Sequence, residues 1–74
     1  MMVMNLYTNI RQFRLERDIT QQELAESVGV SRQTINSLEN DKYNPSLLLA
    51  YKITRKLGKT FIEEVFIFSE DDEL

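Results

Sequence analysis

The stretch TQQELAESVGVSRQTINSLEN, residues 20–40, holds two helix starts and one helix stop in close succession. Thr20-Gln21-Gln22-Glu23 is a T-x-x-E capping box: the Thr hydroxyl accepts from an orphan amide at the helix start while the Glu carboxylate reaches back to the amide of the cap. A helix therefore begins at about Gln21. Its Leu24, Ala25 and Val28 share one face, and Gly29 follows as the residue able to enter the left-handed region and end it. Ser31 caps the next helix. There Ile35 and Leu38 point one way while Gln33, Asn36, Ser37 and Asn40 point the other, so the outward face is polar yet almost uncharged. The small Ala25 sits where the two helices pass closest, because a larger side chain would wedge them apart.

Outward from this pair, the same punctuation continues. Asn9 or Thr8 can cap a first helix with Ile10 and Phe13 on its buried stripe, and Asp18 stands at its end where Gly is the usual choice. Asn44-Pro45-Ser46 opens a fourth helix with Leu47, Ala50, Ile53 and Leu57 inward, closed by Gly58. Thr60-Phe61-Ile62-Glu63 repeats the T-x-x-E signature and predicts a short fifth helix. Five short helices joined by tight turns make an all-α bundle. Two end segments fit it less well. Val3-Met4-Asn5-Leu6-Tyr7 and Val65-Phe66-Ile67-Phe68 are rich in β-branched and aromatic residues and can pair as a two-stranded ribbon. A lone ribbon is marginal in water and needs the bundle or a second subunit beneath it. The other reading has Val65 and Phe66 finishing helix five with the rest frayed. The chain divides into one domain, residues 1–68, and an acidic tail, residues 69–74.

Length and composition narrow the function. Seventy-four residues fit one domain. With neither His nor Cys, the commonest metal ligands, the neutral-pH proton shuttle and the thiolate nucleophile are absent, so no metal site, no cofactor and no catalytic residue is expected. An enzyme is the weakest class, since no Gly-rich phosphate loop or paired-carboxylate pocket is visible either. A core this small gains from association, and a homodimer is expected. No stretch has the ~20 apolar residues that a bilayer requires, and no basic leader precedes an apolar run, so the expected location is the cytoplasm and no membrane contact is expected. The net charge of −3 argues against a polyanionic partner when taken whole. Its distribution reverses that: residues 1–62 carry +3, whereas Glu63, Glu64, Glu70, Asp71, Asp72 and Glu73 bring −6 to the last twelve residues.

A two-turn helix, a Gly turn and a longer helix with an uncharged polar face form a helix-turn-helix. A helix that reads DNA needs side chains able to donate and accept at base edges, as Gln and Asn do on adenine and Arg on guanine. Arg32, Gln33, Asn36 and Ser37 have that chemistry. At this point the sequence resembles the Cro/phage-repressor (XRE) family of helix-turn-helix regulators, through TQQELAESVGVSRQTINSLEN, NPSLLLAYKITRKLG and FIEEVF, from about Asn9 to Phe66. The resemblance implies the five-helix, lambda-repressor-like bundle and the binding of a double-stranded operator as a homodimer. It assigns base contacts to Arg32, Gln33 and Ser37, flanked by Thr34 and Asn36, within a recognition helix at about residues 32–40. It assigns phosphate contacts to Gln21 at the start of helix two, to the cap Ser31, and to Asn40, Lys42, Tyr43 and Asn44 in the following loop. Arg14 and Glu39 match an ion pair between helices one and three, and Phe61, Ile62, Val65 and Phe66 match a dimer seam. The sequence departs from the family pattern at Asp18 and Asp41, where many relatives have Gly, at Lys59, and at Leu15, Leu48 and Tyr51, which add apolar surface. The second function class is an antitoxin or anti-repressor that uses this fold chiefly to hold a protein partner.

Overall fold

A computed structural model describes residues 2–72. In chain order its elements are strand β1 (Met2–Thr8), helices α1 (Ile10–Glu16), α2 (Gln21–Val28), α3 (Arg32–Glu39) and α4 (Leu47–Lys56), a single 3-10 turn (Ile62–Glu64), and strand β2 (Phe66–Asp72). The core gathers Leu24, Ala25 and Val28 from α2, Ile35 and Leu38 from α3, Leu49, Ala50 and Ile53 from α4, with Ile10, Leu57, Val65 and Phe66.

The helix ends form as local chemistry dictates. Thr20 Oγ1 accepts from Glu23 N at 3.0 Å, and Glu23 Oε1 accepts from Thr20 N at 2.9 Å, so the capping box is complete. Gly29 closes α2 at φ +80, its amide donating to Ala25 O. The ends of α1, α3 and α4 share one hydrogen-bond pattern. Ile19, Lys42 and Lys59 N donate to Arg14, Ser37 and Thr54 O, while Asp18, Asp41 and Gly58 N donate to Leu15, Leu38 and Arg55 O. This is a Schellman closure, which places its second-last residue in the left-handed region. Asp18 (φ 56) and Asp41 (φ 58) take that conformation without being glycine. At Gly58 (φ +78) the left-handed backbone is what disfavours a side chain, since the atom nearest a Cβ there, Arg17 Nη1 at 2.5 Å, is the far end of a side chain that can move aside.

Three expectations are corrected. The fold has four α-helices and a small antiparallel sheet in place of five helices, and the fifth segment is only the 3-10 turn. Glu64, not Glu63, supplies its cap, accepting from Phe61 N at 2.9 Å and Thr60 N at 3.1 Å. The turn cannot grow because Val65 O accepts from Asn9 N at 2.8 Å and Phe66 already pairs with Thr8. With only a few residues between Gly58 and the strand, the unfavourable helix nucleus is never offset by further turns. Second, neither candidate cap of α1 works as one. Asn9 makes no side-chain cap bond, and its amide group donates to Glu64 O, while Thr8 Oγ1 donates to Leu38 O. These bonds instead fasten β1 and α1 to the rest of the bundle. Third, Leu47 is 77% exposed and Leu49 is buried in its place. The inward stripe of α4 is Leu49, Ala50, Ile53, Thr54 and Leu57, the Thr54 hydroxyl satisfied by Ala50 O at 2.8 Å. Leu47, one turn before Ala50, projects past the edge of the core.

The ribbon forms from the two end segments, with β1 and β2 antiparallel and Leu6 opposite Phe68, Tyr7 opposite Ile67 and Thr8 opposite Phe66. One face carries Leu6 and Phe66 onto the bundle, which is the support that a two-stranded ribbon needs. Pairing runs on through Ser69–Asp72, beyond the 68/69 division drawn from composition.

Candidate nucleic-acid interface

Helix α3 is held from behind and left open in front. Ile35 and Leu38 are fully buried and fix one side against the core. Arg32, Gln33 and Asn36 are exposed on the other, with Thr34 and Ser37 half-buried between. Ser31 caps the helix, its Oγ accepting from Thr34 N at 3.2 Å and lying 3.1 Å from Thr34 Oγ1. Both hydroxyls are therefore engaged with each other. Of the five residues expected to face bases, the structure presents Arg32, Gln33 and Asn36 as the exposed polar surface and ties the Thr34 hydroxyl back into the cap.

Behind that surface runs a polar chain that local sequence did not reveal. Arg14 from α1 donates Nε to Glu39 Oε2 at 2.8 Å and Nη2 to Glu39 Oε1 at 3.2 Å, with side-chain exposures of 11% and 5%. The expected ion pair is thus present, forked and mostly enclosed. Arg14 Nη1 also donates to Ile19 O at 2.9 Å, so the guanidinium closes the end of α1 as well. Gln21 extends the chain: its Nε2 donates to Glu39 Oε1 at 3.1 Å and to Asn36 Oδ1 at 3.3 Å. Helices α1, α2 and α3 are locked in register by these bonds. Because the Asn36 oxygen is taken by Gln21, its amide hydrogens face outward as donors. No spacing signal marks Gln21 for this role, since its partners lie 15 and 18 positions away.

The expected phosphate contacts divide in two. Gln21 has both side-chain hydrogens committed, so an anion there meets the backbone first. In α2 the Thr20 cap takes the Glu23 amide, and the Leu24 amide bonds Thr20 O. That leaves the Gln21 and Gln22 amides as the open donors of a helix start, where the dipole favours an anion. Arg32 lines the same shallow depression as Gln21 and Gln22. Hydrogen bonding also acts on Glu23: the Thr20 backbone amide first, and then its hydroxyl, hold that carboxyl below its ordinary range. In the loop after α3, Lys42, Tyr43 and Asn44 are exposed. Asn40 is turned back, its Nδ2 donating to Asn36 O at 2.8 Å, and it finishes the helix rather than reaching outward. The left-handed Asp41 swings Lys42 and Tyr43 away from the axis of α3.

The four residues matched to a dimer seam are also split. Val65 and Phe66 are 0% and 1% exposed and belong to the core of this chain, because the chain turns inward between the 3-10 turn and β2. Phe61 is 61% exposed and Ile62 half-buried. The departures Leu15, Leu48 and Tyr51 are each more than half exposed. Lys59 sets its ammonium 4.2 Å from the centroid of the Phe13 ring, a cation–π contact that accounts for a basic residue at an otherwise apolar position.

A Helix-turn-helix family model matches residues 10–63 of the chain, all four helices and the beginning of the turn after them. The chain belongs to this family, in its XRE type, and is a transcriptional regulator rather than an enzyme. It is 56% identical over 64 residues to an uncharacterised HTH-type transcriptional regulator of Methanothermobacter thermautotrophicus, covering 86% of this chain and 93% of the relative. It is 38% identical over 55 residues to the immunity repressor protein of Bacillus phage phi105, covering 74% of this chain and 38% of that protein. Among solved structures, the transcriptional regulator VanUg matches with a TM-score of 0.71 at 28% identity, over 92% of this chain and 89% of the other. Among the described residues, no helix is long and apolar enough to cross a membrane.

Proposed function

We propose that the protein is a cytoplasmic, sequence-specific repressor that binds a near-palindromic operator as a homodimer. Two copies of α3 enter successive major grooves about 34 Å apart. Arg32, Gln33 and Asn36 read base edges, Ser37 and Thr34 pack beside them against sugar or methyl groups, and the Gln21 and Gln22 amides grip a phosphate with Ser31 at the neighbouring helix start. Lys42, Tyr43 and Asn44 lie along the backbone of the second strand, and Asn40 sets the direction of that loop. A bound dimer that overlaps a promoter blocks polymerase.

The observation that carries this reading is the two-sidedness of α3: Ile35 and Leu38 have no exposure while Arg32, Gln33 and Asn36 are exposed and bear no compensating acid. Solvated faces of short helices usually carry mixed charges, whereas this row can exchange water for base edges at small desolvation cost. The phage immunity repressor among the relatives supports repression as the direction. Selection of bound fragments from random DNA tests all parts together. The expected consensus is a two-fold repeat with half-sites one helical turn apart, and Gln33→Ala should shift preference at one position per half-site by about 1–3 kcal/mol. An unchanged consensus in that variant removes Gln33 from the reading face.

A further inference from the structure

A shallow groove runs between the outer face of α4 and the end of α2. One hollow, of about 510 Å³, sets Tyr51, Arg55 and Lys56 against Glu26, and a second, of about 310 Å³, lies beside Leu48. Val28, Gly29 and Lys52 line both and so join them. The join is open, since a Cβ on Gly29 would meet nothing within 4 Å. On α4 the spacings of three and four residues put Leu48, Tyr51, Lys52 and Arg55 on one face, about 10 Å long. We infer that this face is the docking site for an acidic segment of a second protein, whose carboxylates meet Lys52, Arg55 and Lys56 while its apolar side chains cover Leu48 and Tyr51. Such a contact is separate from operator binding: no residue of α3 lines either hollow, so α3 stays free when the groove is filled.

Charge and exposure together select this partner. In a chain of net charge −3, three cations stand exposed within residues 52–56. None of them has an ion pair or a side-chain hydrogen bond among the described residues. The one acid that lines the groove is turned along its own helix, Glu26 Oε2 accepting from Gln22 Nε2 at 3.1 Å. The groove therefore offers unmatched positive charge, which an acidic ligand complements. A nucleic-acid backbone would use those cations but has no use for Leu48, 62% exposed, and Tyr51, 51% exposed beside them. An apolar patch rimmed by charge is instead the pattern of a surface that takes a protein segment. A second copy meeting this face through the same face would set cations against cations, so the partner is a different surface of opposite sign.

The test uses the full chain without DNA and three labelled peptides as probes: the acidic and apolar EDLFEDLE, octaglutamate, and the basic KRLFKRLK. Fluorescence anisotropy at low salt should show EDLFEDLE bound, octaglutamate at least about 10-fold weaker for want of apolar contact, and KRLFKRLK not bound. Added salt should weaken the acidic peptide, because exposed charges are screened. Leu48→Ser with Tyr51→Ser, and separately Lys52→Gln with Arg55→Gln, should each weaken it about 10-fold or more, whereas Leu47→Ser, on α4 but outside both hollows, should bind as the wild type does. All of these positions are exposed, and circular dichroism should show each variant folded. Backbone amide shifts in nuclear magnetic resonance locate the contact on the unaltered chain: EDLFEDLE should move the signals of Val28, Gly29 and Leu48–Lys56 and leave those of Arg32–Asn36 in place. No binding of EDLFEDLE, equal binding by the groove variants, or shifts confined to α3 and Lys42 overturns the proposal. So does a Lys52→Gln with Arg55→Gln variant that holds the peptide but loses duplex affinity and salt slope, which would give the face to the phosphate backbone. Duplex binding by the wild type is scored on its own, so a chain that takes the peptide and selects no DNA keeps the docking face and overturns the operator reading alone.

Discussion

Replacing Glu39 with Ala would strip Arg14 of two of its three hydrogen bonds and leave a guanidinium at 11% side-chain exposure. Breaking a buried pair by deleting one partner costs about 3–5 kcal/mol, because the surviving charge stays desolvated and unmatched. Here the cost should fall at the low end, about 3 kcal/mol, since Nη1 keeps its bond to Ile19 O and some water can reach the group. For a domain of this size about 1 kcal/mol moves the melting temperature by 4–8 °C, so the loss should be roughly 12–24 °C. Arg14→Met strands the 5%-exposed carboxylate with only the Gln21 amide and should cost as much. Removing both charges, Arg14→Met with Glu39→Leu, should return the protein to within about 1 kcal/mol of wild type. The measurement is thermal and urea unfolding followed by far-ultraviolet circular dichroism at one protein concentration, because dimer formation makes apparent stability concentration-dependent. A loss below about 1 kcal/mol in Glu39→Ala would place the pair with exposed ion pairs and refute the argument. A double variant as unstable as the two single losses added would refute it from the other side.

Three further outcomes follow from individual contacts. Lys42→Ala should weaken binding to all sequences alike and flatten the salt dependence by roughly one unit, read by fluorescence anisotropy over a salt series; an unaltered slope takes Lys42 off the phosphate backbone. Asp41→Gly relieves a left-handed Asp at φ 58 and should add about 0.5–1 kcal/mol of stability, and it should also tighten DNA binding by removing a negative charge next to Lys42. A drop in either quantity contradicts the cap assignment. The caps also predict an acid limb. Amide bonds from Phe61 and Thr60 lower the Glu64 carboxyl, as those from Thr20 lower Glu23. A depressed folded value contributes stability in full above the ordinary glutamate range, about pH 4.3, and loses it as the pH falls through the lowered value. Thr20→Val with Glu23→Gln should flatten the part of that limb due to the α2 cap, as measured by unfolding at a series of acid pH values.

Short-range chemistry made the central part of the fold legible. The Thr20 box, the Gly29 turn and the Ser31 cap each act over three or four residues, so residues 20–40 specify the helix pair without help from the rest of the chain. The same holds for the uncharged outer face of α3, because the 3.6-residue period sorts Ile35 and Leu38 from Gln33 and Asn36 wherever the helix packs. The end segments were readable as strand formers for the same local reason.

What local chemistry left open was decided by partners distant in the chain. The second T-x-x-E box yielded to Glu64 because the Asn9 amide claims Val65 O and Thr8 claims Phe66, which halts the helix after one turn. That same docking buries Val65 and Phe66 and leaves Leu47 and Phe68 uncovered. Gln21, legible only as a helix-start residue, became the bridge between Glu39 and Asn36 once α2 and α3 were packed. Capping and periodicity are properties of a few adjacent residues and can be read along the chain. Which apolar face is covered, and which polar side chain stays free, depends on atoms tens of residues apart that only packing brings together.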